Sequence, residues 1–176
     1  TQRQLAMVSA KNHRHSVHNP YAQIRDTLTV DEILAAPLAA YPLTVPMCAP
    51  LSDGAAAAIL CTEEGLERIG ADRTRCIRVA ASVLRSFGHR RLDQPELHVA
   101  RLAAQQAYEQ AGLGPQDMDV AEIHDATAIG EIIQVENLGF VPAGEGGLAA
   151  ERGEFSLGGR LPVNTDGGLI ANGEPI

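Results

Sequence analysis

Lysine occurs once in this chain, at Lys11, and arginine supplies nearly all of the positive charge. Tryptophan is absent and aromatic residues make up 3% of the 176 residues. With a net charge of −8 the chain lacks the basic surface that a nucleic-acid partner requires, so none is expected. Three cysteines, Cys48, Cys61 and Cys76, show no CxxC spacing and leave one without a mate. That argues against a disulfide framework or a zinc site, so no metal is expected, and it points to a reducing, cytoplasmic compartment. We assign all three to the core. No apolar run approaches the ~20 residues needed to span a bilayer, and no signal peptide is expected. The chain starts without Met and stops at Glu174-Pro175-Ile176 inside a glycine-rich stretch, so we expect a piece of a longer protein.

What is present is alanine and glycine in quantity. Small residues let helices and strands pack closely, and this length suffices for one domain with a proper core. Thr1-Gln2-Arg3-Gln4 has the form of a capping box and opens a helix to about Val17. That helix carries His13, Arg14, His15 and His18. With no acidic or cysteine ligand beside them, we read them as a solvated or anion-facing helix face. Thr29 to Glu32 is a second capping box, opening a short helix to Pro37. Ala55 to Cys61 reads as a buried strand, although its alanines are equally compatible with helix. Thr62 caps a helix to Gly70, and Cys76 to Leu84 reads as another strand. Pro95 opens a long helix whose inner side carries Leu97, Ala100, Ala104 and Tyr108, ended by Gly112. Alternating helices and strands imply an α/β layered protein.

Val120 to Leu138 organises the rest. It reads as a short apolar strand, a polar corner at His124-Asp125 and an amphipathic helix, with Ile129, Ile132, Ile133 and Val135 largely on one side. Gly139 closes it. A histidine where a strand end meets a helix N-terminus suits a group that holds an anion or moves a proton. The same corner is also explained as a cap, with Asp125 or Thr127 serving the helix and His124 incidental. Beyond Gly139, glycines crowd the chain. Leu161 to Gly168 has turn chemistry that lets backbone approach a ligand closely, and it lacks GxGxxG or Walker spacing.

Glu122-Ile123-His124-Asp125-Ala126-Thr127-Ala128-Ile129-Gly130-Glu131-Ile132, followed by Glu136-Asn137-Leu138-Gly139-Phe140, resembles the histidine-type motif of sterol-carrier thiolases and related acetyl-CoA acetyltransferases. Gly144-Glu145-Gly146-Gly147 and then Gly159 to Leu169 continue the likeness in order and spacing. Ala10-Lys11-Asn12-His13, Asn19-Pro20 and Pro50 to Ala57 extend it over nearly the whole chain.

The resemblance implies a thiolase-like layered α/β fold with a mixed sheet covered by helices. Residues 1–70 would end the N-terminal half. Residues 71–176 would start and largely form the C-terminal domain, stopping before its final cysteine motif. The implied activity is acyl transfer with carbon–carbon bond formation or cleavage next to a coenzyme A thioester. Acyl-CoA would be a substrate rather than a cofactor, so no cofactor is expected, and a homodimer or a partner subunit is. His124 would take the place of the oxyanion-binding asparagine or histidine, and Asn164, Gly167, Gly168 and Gly173 would shape the substrate pocket. Both cysteines of the family's mechanism would lie outside this chain. Where the family reads Gly-His-Pro, the sequence has Gly173-Glu174-Pro175, so Glu174 stands for the second histidine as acid or base. That replacement brings in two further readings: retro-aldol or decarboxylating lyase chemistry on the same scaffold, and a non-catalytic acyl-CoA or lipid-binding subunit.

Overall fold

The computed structural model describes residues 1–91 and 93–174. Pro175 of the Gly-Glu-Pro match and the last two residues of the 71–176 segment lie outside the described residues. Helix α1 (Gln2–Ser16) runs through the middle of the packed part, started by the expected capping box between Thr1 and Gln4. Around it stand α2 (Val30–Ala35), α5 (Ala128–Asn137), α6 (Gly146–Glu151) and α7 (Gly168–Asn172). The second capping box, Thr29 with Glu32, opens α2 as its sequence requires. A two-stranded antiparallel sheet, β1 (Leu38–Ala40) with β2 (Leu43–Thr44), follows α2. Helix α3 (Glu63–Arg68) starts at Thr62, and α4 (Val99–Ala111) stops at Gly112, which takes the left-handed conformation that glycine adopts without strain.

Two apolar clusters carry the fold. One joins Leu5, Val8, Ile33, Met47, Ala128 and Ile170. The other joins Val135, Phe140, Ala149, Phe155, Leu161 and Val163. Both are aliphatic apart from two phenylalanines, as the composition requires.

Several expectations need correction. Ala55 to Cys61 and Cys76 to Leu84 form no strand among the described residues, and Ile59, Leu60, Ile77 and Leu84 are exposed. A lone strand needs a hydrogen-bonded neighbour and a face to bury, and none stands beside these segments among the described residues. Cys61 and Cys76 are therefore exposed and Cys48 half-buried, not core residues. The strand placed at Val120 reduces to one parallel bridge, Ala121 to Val163. Helix α1 is not a solvated face: His13 and His15 are buried, and Arg14 alone of that triplet is exposed. The long helix after Pro95 begins with a 3₁₀ turn, Pro95–Leu97, and buries only Ala104 of the four residues named for its inner side. In α5 the buried stripe is Ala128, Glu131 and Val135, while Ile129 and Ile133 are exposed. An acid takes an inward position because a buried lysine meets it there.

Candidate active site

Thr127 is the cap of α5, its hydroxyl accepting the Gly130 amide at 3.3 Å. That leaves His124 and Asp125 free for other work. His124 points outward and its Nε2 lies 3.1 Å from Glu174 Oε1. Two side chains 50 positions apart thus meet at one corner. The segment Cys48 to Ser52 brings them there. It pairs antiparallel with Thr127, the Ala49 amide donating to Ala126 O at 2.9 Å, and parallel with Glu174, whose amide donates to Pro50 O at 2.8 Å. The Ser52 amide returns a bond to Glu174 O at 3.3 Å. One extended strap therefore has the histidine corner on one side and the glutamate on the other.

Asp125 turns the opposite way, fully buried. Its Oδ1 accepts the Leu169 amide at 2.7 Å and its Oδ2 accepts Asn12 Nδ2 at 2.8 Å. Burial, and next the Glu131 carboxylate, push its pKa up to about 7 against the pull of the Leu169 amide and Lys11. Glu131 is also fully buried. Lys11 Nζ stands 2.9 Å from its Oε1, while its Oε2 accepts Asn12 Nδ2 at 2.9 Å and Asn164 Nδ2 at 3.1 Å. Lys11 completes its donors on Asn12 Oδ1 at 2.7 Å and Val163 O at 2.6 Å. A buried charge persists only when it is paired; Lys11 pairs Glu131 here, and Glu131 Oε1 makes no hydrogen bond beyond that ion pair.

Asn164 sits directly behind the corner. It holds φ +54, a left-handed conformation that asparagine tolerates better than most residues, and its Oδ1 accepts the Ile123 amide at 2.8 Å. His15 braces it: Nδ1–H donates to Asn164 O at 2.9 Å while Nε2 accepts the Leu157 amide at 3.1 Å. That arrangement requires the neutral ring, and burial lowers the His15 pKa accordingly. Gly167, Gly168 and Gly173 are all buried against the protein's own side chains. A Cβ on Gly167 would stand 2.6 Å from Ser16 Cβ, one on Gly168 2.7 Å from Asp125 Oδ1, and one on Gly173 2.8 Å from Gln23 Oε1. Gly173 also lines an open cleft of about 440 Å³ with Asn19, Tyr21, Ser52, Asp53 and Asn172.

His124 and Glu174 thus come together at the surface, whereas Asn164, Gly167 and Gly168 form the layer beneath. Lys11, Asn12, Asp125 and Glu131 were not singled out from the sequence as site residues. The available signals were the solitary lysine and an acid on the apolar side of α5. The half-buried Cys48 thiol has its pKa raised by burial, which suits packing and not nucleophilic attack. Among the described residues no group of His, Cys, Asp and Glu is placed to hold a metal, and no helix is long and apolar enough to cross a membrane.

A layered α/β chain with a His–Glu corner backed by a buried Lys–Glu–Asp network has clear relatives. Residues 83–176 match the family described as thiolase C-terminal domain-like, and the chain belongs to that family. It is 40% identical to an acetyl-CoA acetyltransferase of Methanothermobacter thermautotrophicus, over 100% of this chain and 46% of that protein. It is 37% identical to the benzoylsuccinyl-CoA thiolase subunit BbsB of Thauera aromatica, again over 100% of this chain and 46% of the relative. The chain therefore spans less than half the length of these relatives. Its fold matches that of a solved Ltp2-ChsH2(DUF35) aldolase at a TM-score of 0.76, with 24% identity over 98% of this chain and 47% of that one. The thiolase-like α/β fold is thereby shown.

Proposed function

We propose that this chain supplies the His124–Glu174 part of an acyltransferase site that makes or breaks a carbon–carbon bond next to a coenzyme A thioester. The contact of 3.1 Å between His124 Nε2 and Glu174 Oε1 carries the reading, since it places a proton donor and a carboxylate at one exposed corner. Both relatives above have names that refer to coenzyme A thioesters or their acyl transfer. In either direction of the reaction the thioester oxygen takes up an electron pair as an enolate. A fixed N–H donor on that oxygen lowers the barrier by about 3 kcal/mol. His124 is that donor through Nδ1–H, with Nε2 either accepting from a protonated Glu174 carboxyl or carrying the ring's second proton toward the carboxylate. Glu174, within hydrogen-bond reach, selects the ring tautomer and takes or returns a proton. Asn164, Gly167 and Gly168 support the pocket from beneath and Gly173 borders it.

In the same proposal, residues 1–70 belong to the end of the N-terminal thiolase-like half and 71–176 to the C-terminal domain. The acylated nucleophile comes from outside this chain, from a second copy, a partner subunit or another part of the protein. Acyl-CoA is bound as substrate, with no resident cofactor, in the cytoplasm.

Glu174 favours a second reading, retro-aldol cleavage of a 3-hydroxyacyl-CoA. The carboxylate accepts the hydroxyl proton, the bond between the α- and β-carbons breaks, the β-carbon leaves as a carbonyl, the electron pair passes to the thioester enolate, and the enolate α-carbon then takes the proton back to give the shorter acyl-CoA. No nucleophilic cysteine is needed for that step. The purified full-length protein should be assayed for thiolysis of a 3-ketoacyl-CoA and for cleavage of a 3-hydroxyacyl-CoA. His124→Ala should lower either activity by about 10²–10³-fold. Glu174→His should lower thiolysis if acyl transfer is the native reaction and abolish cleavage if the lyase is; thiolysis that appears or rises instead shows that the native glutamate diverts the site from acyl transfer. Equal turnover in parent and His124→Ala refutes both.

A further inference from the structure

We propose that Asp125 is a positioning residue that holds His124 and Glu174 at bonding distance, through the Leu169 amide on one carboxylate oxygen and the Asn12 amide on the other. The proposal rests on the catalytic reading above only for its effect on turnover; the geometric claim stands separately. Asp125 directly follows His124 in the chain, so its anchorage sets the backbone from which the imidazole projects. Its Oδ1 accepts the Leu169 amide at 2.7 Å in the first turn of α7. At the other end of that turn the Gly173 amide donates to Leu169 O at 2.8 Å, and Glu174 is the next residue. One carboxylate therefore spans from the residue after His124 to the turn that delivers Glu174.

The chemistry of the contacts requires an acid. Asp125 accepts from an N–H donor on each oxygen, and each oxygen keeps a lone pair for its donor whether the carboxyl is ionised or protonated, as an amide nitrogen does not. An asparagine of the same size would turn its own NH₂ toward one of those donors and lose that bond. Asn12 cannot swing away to compensate. Its Oδ1 is occupied by Lys11 Nζ at 2.7 Å and its second amide hydrogen by Glu131 Oε2 at 2.9 Å. Gly168, the residue before Leu169, has no side chain where a Cβ would collide with the carboxylate. Capping α5 does not explain Asp125, because Thr127 performs that task. A buried carboxylate is costly to keep, and a purely packing role at this position would be met by an apolar side chain.

The test compares Asp125→Asn with Leu169→Pro, which deletes the amide donor in a first helical turn where proline is tolerated. Phe155→Ala, in the second apolar cluster and with no side-chain hydrogen bond to Asp125, Leu169 or Asn12, serves as a destabilised control. In the full-length protein, kcat should fall on the order of tenfold to a hundredfold in the first two variants, with KM little changed. By NMR, the His124 ring resonances should move toward those of Glu174→Gln in both variants and stay in place in Phe155→Ala. His124 resonances that remain at parental positions in Asp125→Asn and Leu169→Pro overturn the proposal, as does a kcat no lower than that of Phe155→Ala. If His124→Ala and Glu174→Gln keep parental turnover, the catalytic reading fails alone, and the resonances still decide the positioning.

Discussion

Raising the pH from 4 to 8 should weaken the fold through Asp125. Its carboxyl titrates at about 7 in the folded protein and near 3.8 when unfolded. The folded state therefore holds the proton over a range in which the unfolded chain has released it. A group raised in this way contributes its stability in full below about pH 4 and loses it progressively as the pH climbs to about 7. A gap of roughly three pH units, at about 1.4 kcal/mol per unit, corresponds to a loss of about 4 kcal/mol. His13 and His15 act in the opposite sense. Burial lowers both, so their contribution is present at high pH and lost as the pH falls through the folded-state values. Urea unfolding of the parent and of Asp125→Asn, measured in steps across pH 4 to 8, separates the two effects, because the histidines are common to both proteins. The stability difference, parent minus variant, should fall by about 4 kcal/mol between the ends of the series. A difference that stays constant from pH 4 to 8 would refute the account of Asp125 as a buried acid that takes up a proton on folding.

Lys11→Met should destabilise by about 3–5 kcal/mol, because Glu131 would keep its charge in the interior without a partner. Adding Glu131→Gln should recover part of that loss, and a double-mutant cycle in urea reads the coupling. Phe155→Ala, at a residue 1% exposed, should cost about 3–5 kcal/mol in the same assay and leave coenzyme A thioester binding unchanged by calorimetry.

Much of the local structure was legible because it is governed by neighbours in the chain. The capping boxes at Thr1 and Thr29, the Thr62 cap and the stop at Gly112 depend on residues three or four positions apart, and each appears where its chemistry puts it. The family was legible from motifs kept in order along the chain. What periodicity could not supply was the environment of each face. Ile129 and Ile133 outrank Glu131 in hydrophobicity, yet Glu131 faces inward because Lys11, 120 residues earlier, presents an ammonium at that spot. His13 and His15 looked like part of a polar surface until α1 proved to be surrounded. The apolar stretches at 55–61 and 76–84 have strand composition, but composition does not provide the neighbour that a strand must pair with. His124 meets Glu174 through the strap at 48–52, a pairing between three distant segments that no local pattern encodes.

The solitary lysine gives the protein an internal clock. Its ε-amine is shielded, and every other basic side chain in the sequence is an arginine or a histidine, which common amine acylating reagents leave largely untouched. Acylation at position 11 can therefore proceed only when α1 lifts away from α5 and the turn at 163–164. The rate of that single modification, followed by peptide mass, reports how often the interior beneath the His–Glu corner opens.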